Sequence, residues 1–144
     1  MSDTDVQEQT TARFADLPPI GEEFAGGTFR GVTTLPDGKH VAVVLLPNKS
    51  DKRQRLAWAA AMKWAKKVGG QLPSRPVAAL LYANAKSEFE PDWYWTADTL
   101  DADTGCKSDA SYAWFCYFYR GGQYFNAKSY AGCARAVRLI HLEG

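Results

Sequence analysis

Apolar and polar positions alternate with different periods along the chain, and each change of period marks an element boundary. His40 is followed by Val41-Ala42-Val43-Val44-Leu45-Leu46, an unbroken apolar run. Val41, Val43 and Leu45 would face one way and Ala42, Val44 and Leu46 the other, so both faces are apolar, as in a central strand. Phe29-Arg30-Gly31-Val32 upstream is also β-rich. Leu35-Pro36-Asp37-Gly38-Lys39 between them reads as a hairpin turn, because proline presets φ and glycine supplies a positive one. A helical period follows. Leu56, Ala60, Trp64 and Val68 fall on one stripe, with Ser50 or Asp51 as the cap, Gly69-Gly70 as the stop, and Trp58 off the stripe. Leu72-Pro73 is a short extended link. Ser74 then caps a second helix with Pro76 in its first turn, and Val77, Leu80, Leu81 and Asn84 line one face.

The second half reverts to strands. Trp93-Tyr94-Trp95 is a short aromatic one, and residues 98–111 form a loop of small and acidic residues, long enough to be a functional candidate. Residues 112–119 (Tyr-Ala-Trp-Phe-Cys-Tyr-Phe-Tyr) are all apolar or aromatic until Gly121-Gly122 breaks the run, which predicts a strand, a turn and a returning strand. Residues 126–132 form a polar loop and residues 134–142 a closing strand. This order predicts an α+β domain over residues 20–144, with antiparallel sheets and two helices packed to one side. Residues 1–19, polar and ending in Pro18-Pro19, read as a flexible N-terminal arm.

The length of 144 residues suits one domain, large enough to bury roughly 68–70% of its unfolded surface. A net charge of +1 gives the molecule no overall attraction to phosphate. Charge is uneven, however: residues 49–75 hold eight basic side chains against Asp51, and residues 88–109 hold seven acids against Lys107. The basic residues are not interleaved with exposed aromatics, so no nucleic-acid partner is expected. No run approaches 18 apolar residues, so no membrane span is expected. The first residues are acidic and lack the apolar stretch of a signal peptide, which points to synthesis in a reducing cytoplasm with Cys106, Cys116 and Cys133 free. A Cys106–Cys133 bridge would require a later oxidising environment. His40 has no ligand partner at metal spacing, and no metal or cofactor is expected.

The chemistry that stands out is recognition by tyrosines. A Tyr ring offers large contact area at low entropic cost and carries a polar tip. On the 112–119 strand, Trp114, Cys116 and Phe118 share one face, and Phe115, Tyr117 and Tyr119 the other. Tyr117 and Tyr119 would look outward beside Trp93, Tyr124, Asn126, Lys128 and Tyr130, and these seven are the candidate ligand-binding residues. The bland alternative is that these rings cover a sheet face or a subunit interface.

Leu72-Pro73-Ser74-Arg75, Leu80-Leu81-Tyr82-Ala83-Asn84, Tyr94-Trp95-Thr96, Ala113-Trp114, Gly121-Gly122, Lys128 and Arg135-Ala136-Val137-Arg138 occur in an order that resembles a known family. It is the domain of unknown function common in tailed-phage and prophage proteins and in the C-terminal domain of a bacterial collagen-like adhesin. That family is similar in fold to C-type lectins, formylglycine-generating enzymes and retroelement variable proteins, and the match covers about residues 20–142. Two motifs depart from the pattern: Gly70-Gln71 stands where the family often has Trp-Arg, and Tyr94-Trp95-Thr96-Ala97 replaces Tyr-Trp-Ser-Ser. The resemblance implies a C-type-lectin-like ligand-binding scaffold, often displayed as a homotrimer, with Trp114 and Phe118 toward the core and no fixed chemistry. Glu90-Pro91-Asp92 is similar to the triplets with which C-type lectins hold Ca²⁺ and sugar, but it precedes the aromatic strand instead of following it, and a plain turn is the simpler reading.

The expected function is therefore that of a non-enzymatic receptor-binding domain on a virion or tail, its partner a cell-surface glycan or protein. The alternatives are a structural virion protein that assembles onto other virion proteins through its arm, and a formylglycine-type oxidase using a cysteine pair.

Overall fold

The computed structural model describes residues 10–48 and 55–143. Ser50 and Asp51, the expected caps of the first helix, lie outside the described residues, as do residues 1–9 of the expected arm. Among the described residues the architecture is α+β, with two sheets and three α-helices.

One sheet has five strands in the order β1 (Thr11–Arg13), β8 (Val137–Glu143), β4 (His40–Leu45), β3 (Gly27–Thr34) and β2 (Glu23–Phe24). Its pairs are antiparallel except β1 with β8, which is parallel. Residues 10–19 thus depart from the expected arm: Thr11, Ala12 and Arg13 pair with His141, Leu142 and Glu143 of the last strand, and Leu17 packs on the core. The period-2 pattern there is too short to be legible, and the strand exists because β8 offers it an edge.

β4 is central, as its two apolar faces require, and each face meets a different layer. Val43 and Leu45 pack with Val77, Ala78, Leu81 and Ala85 of α2 (Arg75–Ala85). Ala42, Val44 and Leu46 pack with Ala61 and Ala65 of α1 (Trp58–Lys67), with Leu72 and with Trp95. The two main helices are therefore divided between the two faces instead of sharing one side. A central strand that is apolar on both faces exposes a large area unless each is covered, and burying one aliphatic side chain is worth about 1.5–3 kcal/mol.

α2 begins where expected: the Ser74 hydroxyl accepts from the Val77 N–H at 3.3 Å. It rides close to β3 at Gly31, whose φ of +140° sits at a bulge and whose missing Cβ would lie 3.0 Å from the Asn84 amide nitrogen. Asn84 and Arg30 close that contact, the Asn84 amide donating to the Arg30 carbonyl at 2.7 Å. α1 starts later than expected, at Trp58, and the residues it buries are Ala61 and Ala65, while Ala60 is exposed. Its stop is as expected: Gly70 N–H reaches the Ala65 carbonyl and Gly69 N–H the Lys66 carbonyl, a Schellman arrangement with Gly69 at φ +92°.

The second sheet is β5 (Trp93–Thr99), β6 (Tyr112–Tyr117) and β7 (Gln123–Ala127), all antiparallel. The expected loop at residues 98–111 contains a third helix, α3 (Leu100–Thr104), and a 3₁₀ turn (Lys107–Ser111). Residues 132–137 stitch the sheets together: Cys133 exchanges backbone hydrogen bonds with Trp93 and Trp95, and the Ala136 carbonyl accepts from Leu46 N–H.

Candidate functional site

Strand alternation fixes what each side of the small sheet presents. Across β5–β6–β7, Trp93 faces Tyr117, Trp95 faces Phe115, Phe115 faces Tyr124, and Ala113 faces Asn126, so these residues share one face. Tyr94, Cys116, Gln123, Trp114, Phe125 and Tyr112 share the other.

Each face is buried at one end and open at the other. On the first, Trp95 and Ala113 are sealed, and Trp58 of α1 locks that end by donating its indole N–H to the Thr96 carbonyl at 2.9 Å. From there a row of rings leads outward: Trp95 to Trp93 (5.0 Å between centroids), Trp93 to Phe115 (4.8 Å), and Phe115 to Tyr124 (6.0 Å). The row ends in solvent, with Tyr124 59% exposed. Tyr117 lies beside it, and its ring meets that of Tyr119 at 5.9 Å; Tyr119 is 51% exposed. Arg120 sits over the Tyr119 ring at 5.5 Å. Gly121, at φ +81°, turns the chain between Tyr119 and Tyr124.

The seven expected site residues divide accordingly. Tyr117, Tyr119 and Tyr124 flank the hairpin turn as exposed rings. Trp93 is half-buried and acts as the base on which Phe115 and, beyond it, Tyr124 rest. Asn126 turns its side-chain oxygen back to its neighbour's Ala127 N–H at 2.9 Å. Lys128 lays its ammonium 4.4 Å over the Trp58 ring, a packing role. Tyr130 is exposed on the connection after β7. Phe115 belongs to the same row, and its place on the outward face with Tyr117 was readable from alternation alone.

The other face holds a second aromatic group, in which Phe89, Phe125 and Arg75 join the Trp114, Cys116 and Phe118 expected there. Phe118, Tyr94 and Cys116 are buried beneath α2, with Phe89 stacked on Phe118 at 3.9 Å. At the open end, Phe125 meets Trp114 at 5.4 Å and Tyr112 at 5.9 Å, and Phe125 is 48% exposed. Trp114, expected in the core, is half-buried under Arg75, whose guanidinium lies 3.7 Å above its ring. Gln123 holds Arg75 in that pose, accepting from its Nε at 2.9 Å and donating to its backbone carbonyl at 2.8 Å.

The remaining candidate chemistry finds structural roles. Asp92 of the Glu90-Pro91-Asp92 triplet closes a tight turn, accepts from Trp93 N–H and forms an ion pair with Arg55. Among the described residues, no group of three or more His, Cys, Asp or Glu could hold a metal ion. His40 is exposed and shares a hydrogen bond with the Thr34 hydroxyl at 2.8 Å. All three cysteines are free, Cys106 exposed and the other two buried. Burial pushes the Cys116 thiol up to about 11, and burial followed by the Asp92 charge pushes Cys133 up to about 11. Among the described residues, no helix is long and apolar enough to cross a membrane. The chain matches no family model, and no curated protein matches it in sequence.

Proposed function

We propose that this chain is a non-enzymatic recognition domain with a C-type-lectin-like fold, of the kind carried by tailed phages and prophages. It docks onto a cell-surface glycan or protein through the open aromatic end of its three-stranded sheet, displayed on a virion or tail as a homotrimer. The observation that carries this reading is the exposure of Tyr119 and Tyr124, at 51% and 59%, on either side of the glycine turn. Their rings are held from behind by Tyr117 and Phe115, so a partner would meet a preorganised surface. Rigid aromatic rings with hydroxyl tips suit both sugar faces and protein patches. The thiol chemistry weighs against an oxidase: two of the three cysteines remain protonated at neutral pH and are buried apart from solvent.

The test is attachment of the purified chain to host cells, comparing it with Tyr119→Ala and Tyr124→Ala variants. A tenfold or greater loss of attachment by folded variants supports the reading; unchanged attachment and assembly would remove it.

A further inference from the structure

A second concavity lies away from the aromatic surface, at the β2 side of the five-stranded sheet. It is a cleft of about 590 Å³ lined by Glu23, Ala25, Thr28, Leu46, Glu88 and Arg135, among others. That volume lies within the range of small-molecule sites. Its unusual component is Arg135, only 5% exposed. The guanidinium donates from Nη1 to the Glu88 carbonyl at 2.6 Å and from Nη2 to the Leu46 carbonyl at 3.1 Å. Nε–H is buried with no acceptor, and among the described residues no carboxylate lies within ion-pair distance. Buried charges are normally paired, and this cation is held by two neutral carbonyls and the face of the Phe89 ring, 5.1 Å from its centroid, so it is short of an anion.

Two neighbouring features point the same way. Glu88 turns its carboxylate toward Arg30, 4.0 Å away, instead of toward Arg135. Ala25, on the cleft wall, is held at φ +51°, a left-handed conformation that alanine resists, and Arg138 fixes it by donating to its carbonyl at 2.7 Å. Backbone strain of this kind persists where the surrounding structure enforces it, and such places cluster at ligand sites.

We propose that this cleft binds the carboxylate of a small polar molecule, with the Arg135 guanidinium as its anchor. A planar monoanion matches the guanidinium fork, whereas a dianion would meet the acidic Glu23 and Glu88 on the same walls. The molecule is either an acidic sugar or a free amino acid, whose ammonium would pair with Glu23. The site stands independently of the tyrosine surface.

The test is calorimetric titration of the full chain with D-glucuronate, the methyl ester of D-glucuronate, L-alanine, L-alaninamide and inorganic phosphate. Substituting Arg135 would also cut the ties to residues 46 and 88, so the blocking variant is Pro47→Trp. Pro47 is exposed at the cleft mouth and makes none of those hydrogen bonds. Saturable binding of glucuronate or alanine is expected, weakened tenfold or more by esterification or amidation and lost in Pro47→Trp. Glu23→Gln assigns the source: it weakens alanine, and it leaves glucuronate equal or tighter. No saturable binding by either acid, equal binding of the neutral derivative, unchanged binding in Pro47→Trp, or tighter binding of phosphate would overturn the proposal.

Discussion

Gly132 lies flat against the Trp93 ring, so that a Cβ at this position would come within 2.4 Å of the indole. Gly132 is also bonded to Leu56 in both directions, at 2.9 Å each way, so its backbone has little freedom to retreat. Gly132→Ala is therefore expected to push Trp93 off its seat beneath Phe115. Overpacking of this kind costs about 1–3 kcal/mol. Thermal unfolding should show a fall of roughly 2–4 °C per kcal/mol for a chain of this size. An unchanged midpoint would mean that Trp93 is not the fixed base of the aromatic row.

Arg75 covers Trp114, and that cover is expected to set the tryptophan's environment. Arg75→Ala removes the stacked cation, the bond to Gln123 and the ion pair with Asp103 at 3.3 Å. The half-exposed ion pair adds little, and the stack about 0.5–2 kcal/mol. Fluorescence should shift to longer wavelength as the Trp114 indole gains water, with a loss of about 1 kcal/mol in denaturant unfolding. Full retention of the emission maximum would contradict the stacked pose.

The buried thiols give stability a definite dependence on alkaline pH. Cys116 and Cys133 have folded pKa values of about 11, above the ordinary thiol value of 9.0. Between those values the unfolded chain has released its thiol protons while the folded chain retains them, so stability falls as pH rises through that window. It is fully present below about pH 9. Burial also raises the Tyr94 hydroxyl and acts in the same direction at higher pH. Melting temperature should decline from pH 9 to 11, and less steeply in a Cys116→Ala, Cys133→Ala variant. In the native state at pH 8, an alkylating reagent should modify Cys106 alone, as mass spectrometry would count.

Much of the fold was legible because local chemistry and global packing agree. The apolar run in β4, the Ser74 cap, the Gly69-Gly70 stop and the glycine turn at Gly121 each act within a few residues. What was not legible depended on distant partners. α1 begins at Trp58 because Leu56, expected as the first residue of the helical stripe, is taken by a β-bridge to Gly132, which leaves Ala61 and Ala65 as the buried pair. α3 has only five residues, two of them aspartates in its first turn, too short for a period to emerge. Trp114 lies on the expected face but is half-buried instead of in the core, since depth depends on where α2 ends its cover of the sheet. The burial of Arg135 was not legible, because no local pattern reveals that residues 46 and 88 converge on it.

The tyrosine surface itself is expected to be nearly silent in stability. Tyr119 and Tyr124 are exposed and stand outside the sealed core, so their alanine variants should unfold within about 0.5 kcal/mol of the parent chain. A larger loss would indicate that the rings hold the sheet together instead of being available to a partner.

The decisive measurement is hydroxyl-radical footprinting of the chain free and attached to host cells, read residue by residue by mass spectrometry. Tyr119 and Tyr124 should oxidise readily in the free chain and become protected on attachment, while Phe14, 45% exposed in the 3₁₀ turn that follows β1, keeps its rate. An attached chain in which Tyr119 and Tyr124 oxidise as fast as before would place the partner elsewhere and contradict the assignment of this surface.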